Sequence, residues 1–150
     1  MFDKDLAPFV PTKFDVVTKM LKIVHVGSED IVYDLGCEDG CVLIAAVKDF
    51  GAKKAVRYEV RNHIYEIAKQ NIEAQNFQDR IEVIKGDLFD AETSKASVII
   101  LYLRPEDNER LKPNLKNEAR PGTRIISRSF RIRGWRDLKD YSTDFKHLYL

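Results

Sequence analysis

Apolar side chains recur with two different periods along the chain, and the alternation between them predicts a series of helices and strands. The period is helical over residues 14–24, where one face should be buried. Elsewhere, short apolar runs bounded by polar or turn-forming residues are typical of buried strands. Strands are predicted at 31–34, 52–60, 81–84, 96–103, 123–130 and 146–150, and helices at 13–26, about 40–50, 63–76 and 108–118.

Polar residues and prolines mark where these elements begin and end. Thr12 and Asn62 can cap the helices that follow them, because their side-chain oxygens accept hydrogen bonds from the first backbone N–H groups. Pro105 should end the strand before it, and Pro113 should break or kink the last helix. The run at 96–103 is the most hydrophobic of the chain, which is typical of a central strand covered on both faces.

Strands that alternate with helices predict βαβ units and a parallel sheet. We therefore expect an α/β fold: a three-layer, doubly wound, mostly parallel sheet preceded by an N-terminal helix. No linker or repeat is evident, so residues 1–150 should form a single domain in which 1–12 are an N-terminal arm. Ligands of such sheets bind beyond the carboxyl ends of the strands, and this rule places residues 34–40, Glu59, Asp87 and Tyr102-Leu103-Arg104 on one rim.

Composition and charge argue against several classes of protein. The chain has 25 Lys and Arg against 24 Asp and Glu, so its net charge does not require nucleic acid or a membrane surface as a partner. We find no apolar run long enough to span a bilayer and no signal-peptide pattern. The two cysteines, Cys37 and Cys41, lack CxxC spacing, and the three histidines show no metal-ligand spacing. A cytoplasmic protein with no metal and no membrane partner is expected.

The segment 34–40 is the clearest candidate ligand site, because its glycines follow a strand and precede a helix. Glu59 comes about twenty residues later, where a carboxylate can accept both hydroxyls of a ribose. The turn lacks the G-x-G-x-x-G spacing that brings a helix onto a pyrophosphate. Its Glu38 and Asp39 would repel a diphosphate, whereas an acidic rim suits a ligand that carries a sulfonium and an ammonium group.

Residues 34–40 resemble the first motif of the class I (seven-β-strand) S-adenosylmethionine-dependent methyltransferases, and Lys85-Gly86-Asp87-Leu88 resembles their adenine-binding segment. The likeness is closer still to a small archaeal group of protein-lysine methyltransferases. It is carried there by Phe9-Val10-Pro11-Thr12, Leu111-Lys112-Pro113, Pro121-Gly122-Thr123-Arg124 and Ser127-x-x-Phe130-x-Ile132-x-Gly134-Trp135. The resemblance implies a Rossmann-like fold, S-adenosyl-L-methionine as cofactor, and methyl transfer to lysine side chains of a protein substrate.

The resemblance also implies which residues form the site. Tyr102 would be the catalytic residue beside the transferred methyl group, in an aromatic channel with Phe9 and Trp135. Glu59 would bind the ribose and Asp87 the adenine; the simpler alternatives are a surface acid and a turn cap. The full set of implied cofactor-binding residues is Phe9, Thr12, Asp34, Gly36, Cys37, Gly40, Glu59, Asp87 and Leu88.

Some positions depart from the family pattern. Glu38 stands where the first motif has a glycine, and Arg57 stands where a glycine is also expected. Arg128 and Ser129 stand where the lysine methyltransferases carry a histidine and an acid. Two alternatives therefore stay open: a methyltransferase that acts on nucleic acid or a small molecule, and a divergent, non-catalytic binding module with the same fold.

An arginine-rich segment follows the last predicted helix and contains no acid over residues 120–136. Its Arg124, Arg128, Arg131 and Arg133 are candidates for binding an anionic partner, either an acidic protein surface or nucleic acid. The alternative is a solvated edge strand whose charges prevent pairing with other chains.

Overall fold

A computed structural model of the chain describes residues 14–36, 41–128, 139–141 and 146–149. Within these ranges, every helix is too short or too polar to traverse a lipid bilayer. The helices are α1 (Phe14–Ile23), α2 (Cys41–Lys48), α3 (Asn62–Ala74) and α4 (Pro105–Glu118), with short 3-10 turns at Leu88–Asp90 and Thr93–Lys95. The strands are β1 (Ile31–Leu35), β2 (Lys54–Glu59), β3 (Ile81–Lys85), β4 (Val98–Leu101), β5 (Arg124–Arg128), β6 (Lys139–Tyr141) and β7 (Lys146–Tyr149).

These strands form one sheet in the order β3-β2-β1-β4-β5-β7-β6. The five strands from β3 to β5 are mutually parallel, and Tyr33 of β1 lies opposite Val56 of β2 and Ile99 of β4. β7 runs antiparallel to β5, and β6 runs antiparallel to β7. The predicted α/β fold with a mostly parallel sheet is confirmed. The chain order reverses at β1, which places the switch point between β1 and β4.

Two apolar clusters cover the two faces of the sheet, and β4 contributes to both. Val98 and Ile100 pack in the cluster that includes α1 and α2. Ile99 and Leu101 pack on the opposite face with Leu111 of α4. This division follows because successive side chains of a strand point to opposite faces. The prediction that β4 is central and covered on both faces is therefore confirmed. The sheet forms the middle of three layers.

Helix α1 confirms the helical period at residues 14–24, with Val17, Met20, Leu21 and Val24 buried on one face. The proposed cap Thr12 lies outside the described residues. The cap predicted at Asn62 is wrong, because Asn62 is the first residue of α3 and Arg61 is the N-cap. The side-chain oxygen of Asn62 instead accepts a hydrogen bond from Nζ of Lys85 at 2.9 Å.

The two prolines of α4 meet expectation only in part, since β4 ends before Pro105 as predicted. Pro105 begins α4, because a proline at the first helical position loses no intrahelical hydrogen bond. Pro113 lies inside α4 without ending it. Leu111 and Leu115 are buried on either side of it, and their packing against the sheet outweighs the hydrogen bond that Pro113 removes.

Candidate functional site

A pocket of about 460 Å³ opens at the carboxyl edge of the parallel strands. It is lined by Gly36 after β1 and by residues 57–61, 86–89 and 102–104 at the ends of β2, β3 and β4. The volume lies within the range of pockets that hold small molecules and cofactors. The structure thus brings five predicted site residues together at this edge: Gly36, Glu59, Asp87, Leu88 and Tyr102.

Gly36 lets the chain turn sharply where β1 meets the pocket. Its φ is +121°, a conformation that favours glycine. A Cβ at this position would lie 2.6 Å from the carbonyl oxygen of Tyr102 and 2.9 Å from Cδ2 of Leu103. Both the backbone conformation and the close approach of the chain after β4 therefore require glycine here.

Glu59, the last residue of β2, is the best-defined acid of the pocket. Its side chain is only 4 % exposed. Its Oε1 accepts hydrogen bonds from Nη2 of Arg57 and Nη2 of Arg61, both at 3.1 Å. Its Oε2 accepts from the backbone N of Arg61 at 2.9 Å and from Nε of Arg61 at 2.8 Å. The alternative of an exposed surface acid is therefore wrong for Glu59.

These contacts determine the ionisation of the carboxyl group. Burial would by itself raise the pKa of Glu59, because it disfavours the charged form. The hydrogen bonds and charge of Arg61, together with the charge of Arg57, outweigh burial and lower the pKa from 4.5 to about 2. Glu59 is therefore a carboxylate at neutral pH and can accept hydrogen bonds from hydroxyl groups.

The two arginine partners were missed from the sequence, although part of the signal was present. Arg57 and Glu59 are separated by one residue in β2, so their side chains lie on the same face. Arg57 is buried, and a buried guanidinium requires a paired anion. Arg57, which stands where the resemblance leads us to expect a glycine, is thus paired with Glu59.

Asp87 lines the pocket and also caps a turn. Its Oδ1 accepts a hydrogen bond from the backbone N of Phe89 at 2.9 Å, which caps the 3-10 turn Leu88–Asp90. The turn-cap alternative for Asp87 is confirmed. Its position beside Leu88 in the pocket lining is compatible with an adenine contact, and that role stays a prediction.

Tyr102 and Asp34 occupy different environments. Tyr102 directly follows β4, lines the pocket and is 37 % exposed, which argues against a purely core position. Cζ of Arg128 lies 4.9 Å from the centroid of its ring, a cation–π distance. Asp34 is fully buried within β1, opposite Arg57 in the register with β2.

The other predicted site residues cannot be placed in this pocket. Phe9, Thr12, Cys37 and Gly40 lie outside the described residues, as do Glu38 and Trp135. Their predicted roles stay predictions. Across the part of the chain that the structure describes, there is no group of three His, Cys, Asp or Glu side chains that could hold a metal ion.

The arginine-rich segment is described only in part, since Arg131 and Arg133 lie outside the described residues. The guanidinium of Arg124 donates to the backbone carbonyl of Val24 and to the carboxylate of Asp30. Its positive charge is therefore paired with Asp30 within the fold. Arg128 lies at the end of β5, where its guanidinium contacts the ring of Tyr102.

Comparison with known proteins identifies relatives that match most of the chain. A sequence model of the ANTKMT methyltransferase domain matches residues 34–139. The chain is also 46 % identical to a protein-lysine N-methyltransferase of Saccharolobus islandicus (strain REY15A) over 128 residues, which cover 85 % of this chain and 80 % of that relative.

Solved structures support the same relationship. A crystal structure of an RNA methyltransferase from Salinibacter ruber, in complex with S-adenosyl-L-homocysteine, is similar with a TM-score of 0.86 and 34 % identity, covering 93 % of this chain and 92 % of that one. A SAM-dependent methyltransferase from Geobacter sulfurreducens, in complex with the same ligand, has a TM-score of 0.66 and 21 % identity, covering 78 % of this chain and 48 % of that one. The second similarity shows a shared fold.

Proposed function

The chain belongs to the ANTKMT methyltransferase family and is an S-adenosylmethionine-dependent methyltransferase, and from this premise we propose that it methylates lysine side chains of proteins. The observation that carries the proposal is the 46 % identity to a protein-lysine N-methyltransferase over 85 % of the chain. The family and cofactor that the motifs implied are confirmed. The lysine acceptor and the site residues are the proposed part.

We propose that the pocket at the carboxyl edge holds the cofactor. Glu59 is ionised at neutral pH, so it can accept the hydroxyls of a ribose. Gly36 lets the chain turn sharply at the end of β1, where it lines the pocket, and Asp87 with Leu88 lines the wall where adenine would lie. Phe9, Thr12, Cys37 and Gly40 are proposed to complete the site, and Asp34 to support it from within β1.

When bound, S-adenosylmethionine supplies a methyl group on a positively charged sulfur, which passes to a nucleophile by in-line displacement. The residues of this chain must therefore present a neutral amine, because lysine with a reference pKa of ~10.4 is protonated at neutral pH. Tyr102 offers an aromatic surface at the pocket that excludes water and favours the neutral form. Beyond the loss of its proton, the amine needs only to be desolvated and aligned with the methyl group. We assign Tyr102 as the catalytic residue on this basis.

The acceptor is tested by incubating the protein with S-adenosylmethionine labelled in the methyl group and a protein fraction free of nucleic acid. Acid hydrolysis should release the label as methylated lysine. Recovery of the label only on other amino acids, with none on lysine, would contradict the proposal.

Variants of Tyr102 test its role in the same assay. Tyr102→Ala should lower the rate of methyl transfer at least about tenfold, because water enters beside the amine. Tyr102→Phe keeps the ring and should retain most of the rate. Binding of S-adenosyl-L-homocysteine should change little in both variants, which separates acceptor positioning from cofactor binding.

A second candidate function is methylation of RNA. It is favoured by the similarity to the Salinibacter ruber RNA methyltransferase, which is 34 % identical and aligns over 93 % of this chain. Adding total RNA to the labelling reaction distinguishes the two acceptors. Label that is removed by ribonuclease and is absent from the protein fraction would favour RNA over lysine.

We also propose an anionic partner for Arg128, Arg131 and Arg133, and a cytoplasmic location. Support for the partner comes from the position of Arg128 against Tyr102, which places a positive charge beside the pocket. If the partner is an acidic protein surface, KM for the protein substrate should rise with salt while KM for the cofactor stays nearly constant. The location is proposed because the chain has only two cysteines, Cys37 and Cys41, which are too few for a disulfide framework and lack CxxC spacing.

A further inference from the structure

The carboxylate of Glu59 is already filled by donors from its own chain. Each carboxylate oxygen has about two acceptor positions. Oε1 receives one N–H from Arg57 and one from Arg61, and Oε2 receives the backbone and Nε hydrogens of Arg61. The two hydroxyls of a ribose need two of these positions, so two present donors must leave when a ribose binds.

The three sources of these donors differ in how easily they can move. The backbone N–H of Arg61 is fixed at the start of α3. The guanidinium of Arg57 is 6 % exposed and would remain a buried charge without a partner if it left Glu59. The side chain of Arg61 is 45 % exposed and can reach water by rotation. Of the two guanidinium groups, that of Arg61 is therefore the one whose displacement does not leave a buried charge without a partner.

Arg61 also has the geometry of a substitute for a diol. Its Nε donates to Oε2 and its Nη2 donates to Oε1, so the guanidinium places one N–H on each carboxylate oxygen. Two neighbouring hydroxyls of a ribose would place one O–H on each oxygen in the same way. Exchange of the guanidinium for the diol leaves both oxygens of Glu59 fully hydrogen-bonded.

We infer that the side chain of Arg61 is a latch that closes the ribose position of the pocket and is displaced by the adenosyl cofactor. The inference rests on the proposed role of Glu59 as the ribose ligand. The latch keeps the buried carboxylate paired in the free protein, and its opening opposes cofactor binding. Arg61 thereby sets the affinity for the cofactor, and the displaced guanidinium is released at the mouth of the pocket.

The test replaces Arg61 by methionine, which removes the guanidinium and keeps the backbone N–H that donates to Glu59. Calorimetric titration with S-adenosyl-L-homocysteine should show binding that is about three- to tenfold tighter in Arg61→Met than in the wild type. Arg120→Met is the matched control, because Arg120 is an exposed arginine in the turn before β5, and its loss should change Kd less than twofold. Weaker or unchanged binding in Arg61→Met would overturn the latch.

A second arm asks whether the gain depends on the diol. Adenosine should compete for the pocket more strongly in Arg61→Met than in the wild type, whereas 2′,3′-dideoxyadenosine, which lacks both hydroxyls of the diol, should compete equally well in the two proteins. An equal gain for both nucleosides would overturn the latch and indicate a general effect of charge.

The titrations separate failure of the latch from failure of the proposed site. If the wild type binds S-adenosyl-L-homocysteine and Glu59→Gln weakens that binding while Arg61→Met leaves it unchanged, the site stands and the latch is wrong. If Glu59→Gln leaves binding unchanged, the ribose role of Glu59 and the latch are both wrong. The lysine acceptor is not involved in either titration.

Discussion

Two buried carboxylates bind arginines at opposite edges of the same sheet, and only one of them lies beside the pocket at the carboxyl edge. Asp30 comes just before β1 and binds Arg124. Glu59 ends β2 and binds Arg57 and Arg61. The groups are chemically alike, so the difference between the two clusters comes from what surrounds each ion pair.

The cluster around Asp30 links separate elements through hydrogen bonds of both backbone and side-chain groups. Ser97 Oγ donates to Oδ1 of Asp30 at 2.7 Å, and the backbone N of Gly27 donates to Oδ2 at 2.8 Å. Arg124 donates to Asp30 and also to the carbonyl of Val24. The cluster therefore ties the end of α1 to β1, β4 and β5, and opening it would separate these elements.

The cluster around Glu59 has one partner that can leave. The side chain of Arg61 is 45 % exposed, against 24 % for Arg124, and it faces a pocket rather than a neighbouring element. The pair of Arg124 and Asp30 thus stabilises the fold at the amino edge. In the pair of Arg61 and Glu59 at the carboxyl edge, the arginine can exchange for a ligand. This division agrees with the rule that α/β sheets bind ligands beyond the carboxyl ends of their strands.

The largest expected effect is on stability at the amino edge. Asp30→Ala should lower the free energy of unfolding by about 3–5 kcal/mol, because the mutation leaves Arg124 without its carboxylate partner and the backbone N–H of Gly27 without its acceptor. Urea unfolding measures the loss. Binding of S-adenosyl-L-homocysteine to the folded fraction should change less than twofold.

A surface ion pair provides the control for Asp30→Ala. Lys54 and Glu82 are 3.2 Å apart and about half exposed, so Glu82→Ala should cost less than about 1 kcal/mol. A loss of similar size in Glu82→Ala and Asp30→Ala would contradict the structural role given to Asp30.

Acid should weaken the carboxyl-edge cluster. The pKa of Glu59 falls from 4.5 to about 2 on folding, so its contribution to stability is present above the unfolded value and is lost as pH falls through the folded value. The contribution is about 3 kcal/mol at neutral pH. The free energy of unfolding should therefore decline between about pH 5 and pH 2, and Glu59→Gln should remove this part of the decline. A parallel decline in the wild type and Glu59→Gln would show that other groups are responsible.

Ligand binding should respond to Glu59 rather than to Asp30. Glu59→Gln should weaken S-adenosyl-L-homocysteine binding about ten- to hundredfold, since a neutral amide cannot accept both ribose hydroxyls while it faces Arg57. Asp30→Asn is the matched variant, with the same change of group at the other edge. Calorimetry that gives equal losses for the two variants would remove the distinction between the clusters.

The smallest expected effect concerns an arginine that contacts an aromatic ring instead of a carboxylate. Arg128→Met should cost about 0.5–1 kcal/mol of stability through the lost contact with Tyr102. It should leave S-adenosyl-L-homocysteine binding within twofold of the wild type and change KM for the protein acceptor. A strong loss of cofactor affinity would place Arg128 with the Glu59 cluster.

Much of the fold follows from the sequence because burial imposes periodicity. The order and type of the elements from α1 to β5 are confirmed, since their apolar residues are repeated with the period of the element they form. β6 was not predicted, because Lys-Asp-Tyr at residues 139–141 has no apolar run and is defined by its pairing with β7. Of the break or kink predicted at Pro113, the break does not occur, because tertiary packing overrides local preference.

The candidate site was predictable in its location and less so in its contacts. The positions of Glu59, Asp87 and Tyr102 at or just past strand ends were sufficient to predict that they lie at the same edge, and all three line the pocket. Occupation of the Glu59 carboxylate by Arg61 was not predictable, because it depends on how the chain turns from β2 into α3. The cation–π contact between Tyr102 and Arg128 joins two strands that are distant in sequence, and no local pattern specifies it.

The most direct test of the two-edge account is heteronuclear NMR of the arginine side chains during titration with S-adenosyl-L-homocysteine. The Nε–H signal of Arg61, now hydrogen-bonded to Glu59, should shift strongly as the ligand replaces it, and the signal of Arg124 beside Asp30 should stay in place. A shift of the Arg124 signal with an unchanged Arg61 signal would contradict the assignment of the cofactor pocket to the carboxyl edge.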